Sequence, residues 1–184
     1  MGNALAGQAL IGLGRVDAAH EALETARREL EAVALVTAGI VPNRSRVEPW
    51  VEALHGELVL RAGKLDEGRT ILKGVQRGLR ASPGADAWVQ TLFRLESVAR
   101  SARDAGDWYL AEYTAAQMLD HDAGYGGSHL AMALVLRHKG DKAGATEEFK
   151  AARRCWGDGD PDLPELNRIA DALSELAGRP KRDR

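Results

Sequence analysis

The chain has 184 residues, of which 45% are hydrophobic and 28% charged, and its formal net charge is −2. That length and balance suit one soluble globular domain with a real core. Near-neutral charge excludes a field that would gather nucleic acid or an anionic membrane surface, and no apolar run approaches the roughly 20 residues a membrane-spanning helix needs.

Val, Ile and Thr are sparse and aromatics make up 5%, whereas Ala, Leu and Arg abound, which favours helix over strand. Cys155 is alone, so no internal disulfide forms and a reducing compartment suits the chain. The start, Met1-Gly2-Asn3-Ala4-Leu5-Ala6, lacks the basic head and apolar run of a signal peptide. It also has Ala6 where a myristoylation motif needs Ser or Thr. A cytoplasmic protein is the expectation, and the excess of Arg over Lys points to a GC-rich bacterial gene.

In chain order, periodicity and turn chemistry predict helices over 3–13, 15–37, 47–62, 64–81, 86–105, 107–120, 127–139, 141–155 and 162–177. The breaks are expected at Pro42-Asn43-Arg44-Ser45, Ser82-Pro83-Gly84, Gly124-Tyr125-Gly126-Gly127 and Gly157-Asp158-Gly159-Asp160-Pro161. The last helix has no partner in the pairing scheme. Leu163, Leu166, Ile169, Ala170, Leu173 and Leu176 line one face of it, and Asn167, Arg168, Asp171 and Glu175 another. Asp160 or Asp162 is expected to cap it, with Pro161 or Pro164 in its first turn. Residues 179–184 read as a disordered basic tail.

Four glycines, Gly14, Gly63, Gly106 and Gly140, stand at matching places in four similar segments. Five residues after them come Ala19, Gly68, Ala111 and Ala145; nine after, Leu23, Leu72, Ala115 and Phe149; twelve after, Ala26, Val75, Met118 and Ala152. Seven before stand Gly7, Gly56, Ala99 and Ala133; four before, Leu10, Val59, Ala102 and Leu136. Each glycine can take the left-handed conformation that ends a helix, and small residues on either side let two helices approach closely.

These columns resemble the tetratricopeptide repeat, a helix-turn-helix unit of about 34 residues with small residues in its first helix and Ala-x3-Phe in its second. Ala145-x3-Phe149 matches that piece, and Gly106 and Gly140 are 34 apart. The earlier gaps are 49 and 43 residues, and the family's Trp column reads Asn3, Glu52, Leu95 and His129. The resemblance implies an all-α, superhelical array of about four antiparallel helix pairs plus a C-terminal capping helix. It would form a single domain over 1–178, with repeats at roughly 1–34, 48–82, 86–122 and 126–157 and the cap at 162–177. The first helix has no such cap, which suggests a fragment of a longer array, or an end covered by a partner or a second copy of the chain.

In this family the first helix of each repeat lines a concave groove that holds a partner peptide. The positions matching that groove are Gln8 and Ile11; Trp50, Ala53, Glu57, Leu60 and Arg61; Phe93, Glu96, Arg100, Arg103 and Asp104; and Leu130, Leu134, Arg137 and His138. Of these, Trp50, Glu57, Arg61, Phe93, Glu96, Arg100, Arg103, Arg137 and His138 are the expected partner-binding residues. Trp50 and Phe93 would anchor, and Arg61, Arg100, Arg103 and Arg137 would form a basic strip reading carboxylates. The competing expectation is that Trp50 caps an apolar face between repeats and that the arginines are solvated or paired with Glu57, Glu96 and Asp104. One subtype of the family grips a C-terminal carboxylate with two Lys, two Asn and one Arg. The matching positions here read Ala4, Gln8, Leu54, Phe93 and Ser97, so that clamp is absent.

No catalytic, cofactor or metal motif is apparent. His129 and His138 are nine apart on one helix and diverge, there is no His-Glu-x-x-His, and His55 occupies a column otherwise apolar. Asp158-Gly159-Asp160-Pro161-Asp162 begins like a calcium loop, but Leu163 and Ile169 replace its turn glycine and bidentate Glu. The expected function is therefore a non-catalytic scaffold or adaptor for a protein partner, without cofactor, nucleic acid or membrane. The alternatives are the C-terminal repeat part of a larger regulatory or sensor protein, or a helical repeat domain that binds a small ligand.

Overall fold

A computed structural model of the chain describes residues 2–36, 44–80, 85–157 and 162–178. Among them every regular element is an α-helix: α1 (Gly2–Gly12), α2 (Val16–Val36), α3 (Arg44–Arg61), α4 (Leu65–Arg80), α5 (Ala85–Asp104), α6 (Trp108–His121), α7 (Gly126–His138), α8 (Lys142–Cys155) and α9 (Pro164–Leu176). Each begins and ends within three residues of its expected bounds. The expected breaks at Pro42-Asn43 and Ser82-Pro83-Gly84, the candidate cap Asp160 with Pro161, and the tail 179–184 lie outside the described residues.

The turn glycines explain the regularity. Gly14, Gly63, Gly106 and Gly140 have φ of 73°, 79°, 76° and 79°, where a Cβ would clash with backbone. The residue after each closes the six-residue bond of a Schellman motif. Arg15 N–H donates to the Leu10 carbonyl (2.9 Å), Lys64 to Val59 (3.2 Å), Asp107 to Ala102 (2.8 Å) and Asp141 to Leu136 (3.0 Å). Each bond satisfies a carbonyl that the ending helix leaves without an internal partner.

The chain divides into two compact units, residues 1–107 and 108–184. In the first, α3 is central and packs against α1, α2, α4 and α5. One of its cores joins Ala4, Ile11, Ala19, Leu23, Ala26, Trp50, Val51, Leu54 and Leu58. The small-residue columns permit this closeness: a Cβ on Gly68 would stand 2.8 Å from the Leu60 side chain and 3.1 Å from the Gly56 carbonyl oxygen. In the second unit α7 packs on α6 and α8, and α8 on α9, around Leu130, Ala133, Ala145, Phe149, Ala152, Ile169 and Ala172.

Every residue of the columns five, nine and twelve after the turn glycine is buried, as is every residue seven before it. In the column four before, Val59 and Ala102 are buried, while Leu10 and Leu136 are half-buried.

Three local expectations need correction. α3 takes in Arg44 and Ser45, expected as part of a break, and carries Pro49 in its second turn, where the missing N–H forfeits one helical bond. α9 begins at Pro164, and Leu163 is its N-cap residue with no side-chain cap, so Asp162 lies one residue outside the capping position. Ala170 of α9 is exposed, so the buried face is narrower than predicted and centres on Ile169 and Ala172.

Candidate binding site in the first unit

The polar residues of α3 and α5 that face each other are spaced alike. Trp50 and Glu57 are seven apart on α3; Arg94 and Ser101 are seven apart on α5, with Ser97 between them. Seven residues make two turns, about 10.5 Å of rise, so each set lies along one face of its helix. One end of the seam joins Trp50 to Arg94, and the other joins Glu57 to Ser97 and Ser101.

At the second end, Glu57 is 1% exposed and fully engaged. Its Oε1 accepts from Gln8 Nε2 of α1 (2.7 Å) and from Ser97 Oγ (3.2 Å). Its Oε2 accepts from Ser101 Oγ (2.7 Å) and Ser97 Oγ (3.1 Å). Three helices are thus tied through one buried carboxylate whose lone pairs are supplied by neutral donors.

At the first end, the Arg94 guanidinium carbon lies 4.0 Å from the centroid of the Trp50 ring. Arg94 is also 1% exposed. Its Nε, Nη1 and Nη2 are all buried, and none has a hydrogen-bond acceptor among the described residues. Burial pushes its pKa down to about 10 and the Glu57 charge opposes that shift, so the two ends feel each other. Cation–π attraction to the indole offsets part of the desolvation, yet it uses the face of the guanidinium and leaves the N–H groups at its edge unused.

The other expected site residues fall in different settings. Trp50 and Glu57, expected to meet a partner directly, are interior. Arg61 bonds Asp104 through Nη2 (3.2 Å), and Arg100 lies 3.9 Å from Glu96, as the competing expectation had it for these two arginines. Arg103 and Glu96 are half-buried, while Arg100 is exposed. Phe93 is 62% exposed and Val89, one turn earlier on α5, 51% exposed, with Trp88 beside them also exposed.

Arg137 and His138 belong to the second unit. Arg137 stands 3.9 Å from Glu175 and 6.0 Å above the Phe149 ring, while His138 stacks on Trp108 with centroids 3.7 Å apart. His129 lies within hydrogen-bond distance of Glu148 Oε2 (2.7 Å) and the Ala123 carbonyl (2.9 Å), so the two histidines of α7 have separate partners. Among the described residues no three His, Cys, Asp or Glu side chains gather as metal ligands would.

Sequence reasoning missed Arg94 and Ser101. The signal was present in the columns. Five before the turn glycine stand Ala9, Leu58, Ser101 and Val135; twelve before stand Gly2, Val51, Arg94 and Ser128. A hydroxyl and a guanidinium interrupt positions that are otherwise small or apolar in all but Ser128.

No protein-family model matches the chain, and no curated protein and no solved structure is significantly similar to it.

Proposed function

We propose that the chain is a non-catalytic helical repeat module of the tetratricopeptide kind, a scaffold or adaptor that holds a segment of a partner protein. The superhelical arrangement is part of that reading. Its supports are the four glycine-terminated turns, the buried small-residue columns, and the packing of α3 on both α1 and α5, which sets the first helices of successive pairs side by side.

The observation that carries the binding reading is the exposed stripe of α5. Val89 and Phe93 lie one turn apart in solvent, and Glu96 and Arg100 continue the same face. Exposed aromatics beside an arginine are what partner surfaces concentrate. The Glu96 contact of Arg100 is long, at 3.9 Å, and an exposed pair of this kind contributes little, so a partner carboxylate can replace Glu96 at small cost. The occupant is a segment of another protein with apolar side chains and a carboxylate.

The test places a photo-crosslinking residue at Phe93 and, as control, at Arg168 on the exposed face of α9. One partner is captured in the native host from Phe93 and not from Arg168, and Arg100→Glu with the helical spectrum unchanged removes the capture. Equal capture from both positions, or capture indifferent to Arg100→Glu, overturns the reading.

A further inference from the structure

We propose that the buried edge of the Arg94 guanidinium is a binding site for the carboxylate of a small organic acid, seated in the α3/α5 seam of the first unit. This goes beyond the partner reading and does not depend on it. The two rest on different aspects of α5: the solvent-facing stripe through Phe93, and the stripe through Arg94, Ser97 and Ser101 that faces α3.

The argument begins with hydrogen-bond accounting. A guanidinium carries five N–H donors in a planar fork, and water satisfies them all in the unfolded chain. Here all three nitrogens are buried with no acceptor among the described residues. Buried groups of this type are almost always paired, because an unpaired buried charge is among the most costly features a fold can carry. The nearby carboxylate does not supply the acceptor: Glu57 spends both oxygens on Gln8, Ser97 and Ser101. Trp50 holds the plane of the guanidinium from one face, which fixes the direction in which its edge points. A pre-oriented fork without an acceptor is complementary to a planar two-oxygen anion.

The chemistry of the ligand follows from charge and lining. The guanidinium lacks a hydrogen-bonding anion among the described residues, and Glu57 balances its charge only from a distance, along the same seam. A monoanion meets the fork with one unit of repulsion against Glu57, whereas a dianionic phosphate doubles that repulsion in a low-dielectric setting. Trp50 covers one face of the guanidinium, and the residues next to the pair in the chain, Val51 and Leu95, are buried and apolar, which favours an acid with an apolar body. Ser97, one turn from Arg94, is only half-buried, which brings the solvent boundary within a turn of the guanidinium.

The experiment titrates the full chain with sodium acetate and sodium propionate, using sodium chloride to match ionic strength and inorganic phosphate as the competing oxyanion. The readouts are the melting temperature and the 15N–1H resonance of the Arg94 Nε group. The expected result is a saturable rise in melting temperature with either carboxylate, beyond the chloride control, together with a shift of the Arg94 resonance. Arg94→Met, which replaces the charge with an apolar chain of similar length, remains folded and binds at least about tenfold more weakly, the loss expected for a bidentate charge-assisted contact. Arg94→Lys keeps the charge but not the fork and is also weakened, so the result does not hang on one variant.

Several outcomes overturn the proposal. They are no saturable effect of either acid up to about 100 mM, beyond the weak end of specific affinities; the same effect in Arg94→Met; or a preference for phosphate.

Discussion

Replacing Glu57 with Ala tests whether the seam holds the first unit together. The substitution removes the acceptor of Gln8, Ser97 and Ser101, whose four contacts measure 2.7, 3.2, 3.1 and 2.7 Å. It also takes away the charge that raises the pKa of Arg94. Hydrogen bonds to a charged group contribute roughly 1.5–3 kcal/mol each, and they are not additive within one network. Ser97 and Gln8 are half-buried and regain water, while Ser101 is buried and does not. Removing one member of such a network therefore costs about 3–5 kcal/mol, a large part of the 5–15 kcal/mol typical of a domain. Glu57→Gln keeps one oxygen and the volume, and Ser hydroxyls can turn to accept from the new amide, so it costs about half as much. Urea unfolding followed by far-ultraviolet circular dichroism gives the total, and hydrogen exchange at α3 and α5 amides assigns the loss to the first unit. A Glu57→Ala protein within about 0.5 kcal/mol of wild type, the range of an ordinary surface change, refutes the reasoning.

Three further outcomes are expected. The folded pKa of Arg94, about 10, lies below that of the open chain, so the unfolded state holds the proton longer and stability rises with pH between the two values. The penalty is absent above the upper value and complete below the lower one, at roughly 3 kcal/mol from a shift of this size. The urea-midpoint difference between wild type and Arg94→Met thus narrows from pH 8 to pH 11, and a constant difference contradicts it. Gly56→Ala destabilises by about 1–3 kcal/mol because its Cβ would stand 2.7 Å from Leu72 Cγ, while Gly74→Ala on α4, with no atom within 4 Å, stabilises by about 0.5–1 kcal/mol. Thermal melts of the two variants moving in the same direction would discredit the packing of α3 on α4. Asp141 caps α8 by accepting from Gly144 N–H at 2.9 Å, so Asp141→Ala lowers stability by about 1 kcal/mol in the same assay, and no change argues against the cap.

The backbone was largely legible because it is written redundantly. A turn glycine, a small residue five later and apolar residues nine and twelve later recur four times, and each obeys a local steric rule. Such rules act within a few residues and survive any change of partner. Two kinds of feature were less legible. The spacing places the start of α3 three residues late because Pro42-Asn43-Arg44-Ser45 has the composition of a break, whereas Arg44 and Ser45 are helical, and the Pro49 of the second turn costs one helical bond that packing around Trp50 offsets. The burial of Trp50 and Glu57 depends on what α5 presents to α3, which is a contact across about 44 residues of chain that no spacing within either helix encodes.

The same columns show why Arg94 bears on function more than on folding. Its counterparts Val51 and Ser128 are buried at the same place in other helices, without a charge. A small or apolar residue therefore serves this position in the helix-turn-helix unit, and the unit does not require a guanidinium there. Apolar replacement of a buried unpaired charge is neutral or stabilising as a rule, so on stability alone the position would drift back toward its column. Glu57 sharpens the point. The simplest remedy for a buried arginine is a direct bond to a neighbouring carboxylate, and one lies in the same seam; yet its oxygens are turned to three neutral donors and away from the guanidinium. Local rules are broken at functional sites and the cost is met elsewhere in the fold. Arg94 is the side chain in which the break is complete: all three of its nitrogens are buried without an acceptor among the described residues, whereas His55 and Arg61 of α3 each leave a single buried nitrogen so, which is the arrangement expected of a site that waits for an acceptor from outside the chain.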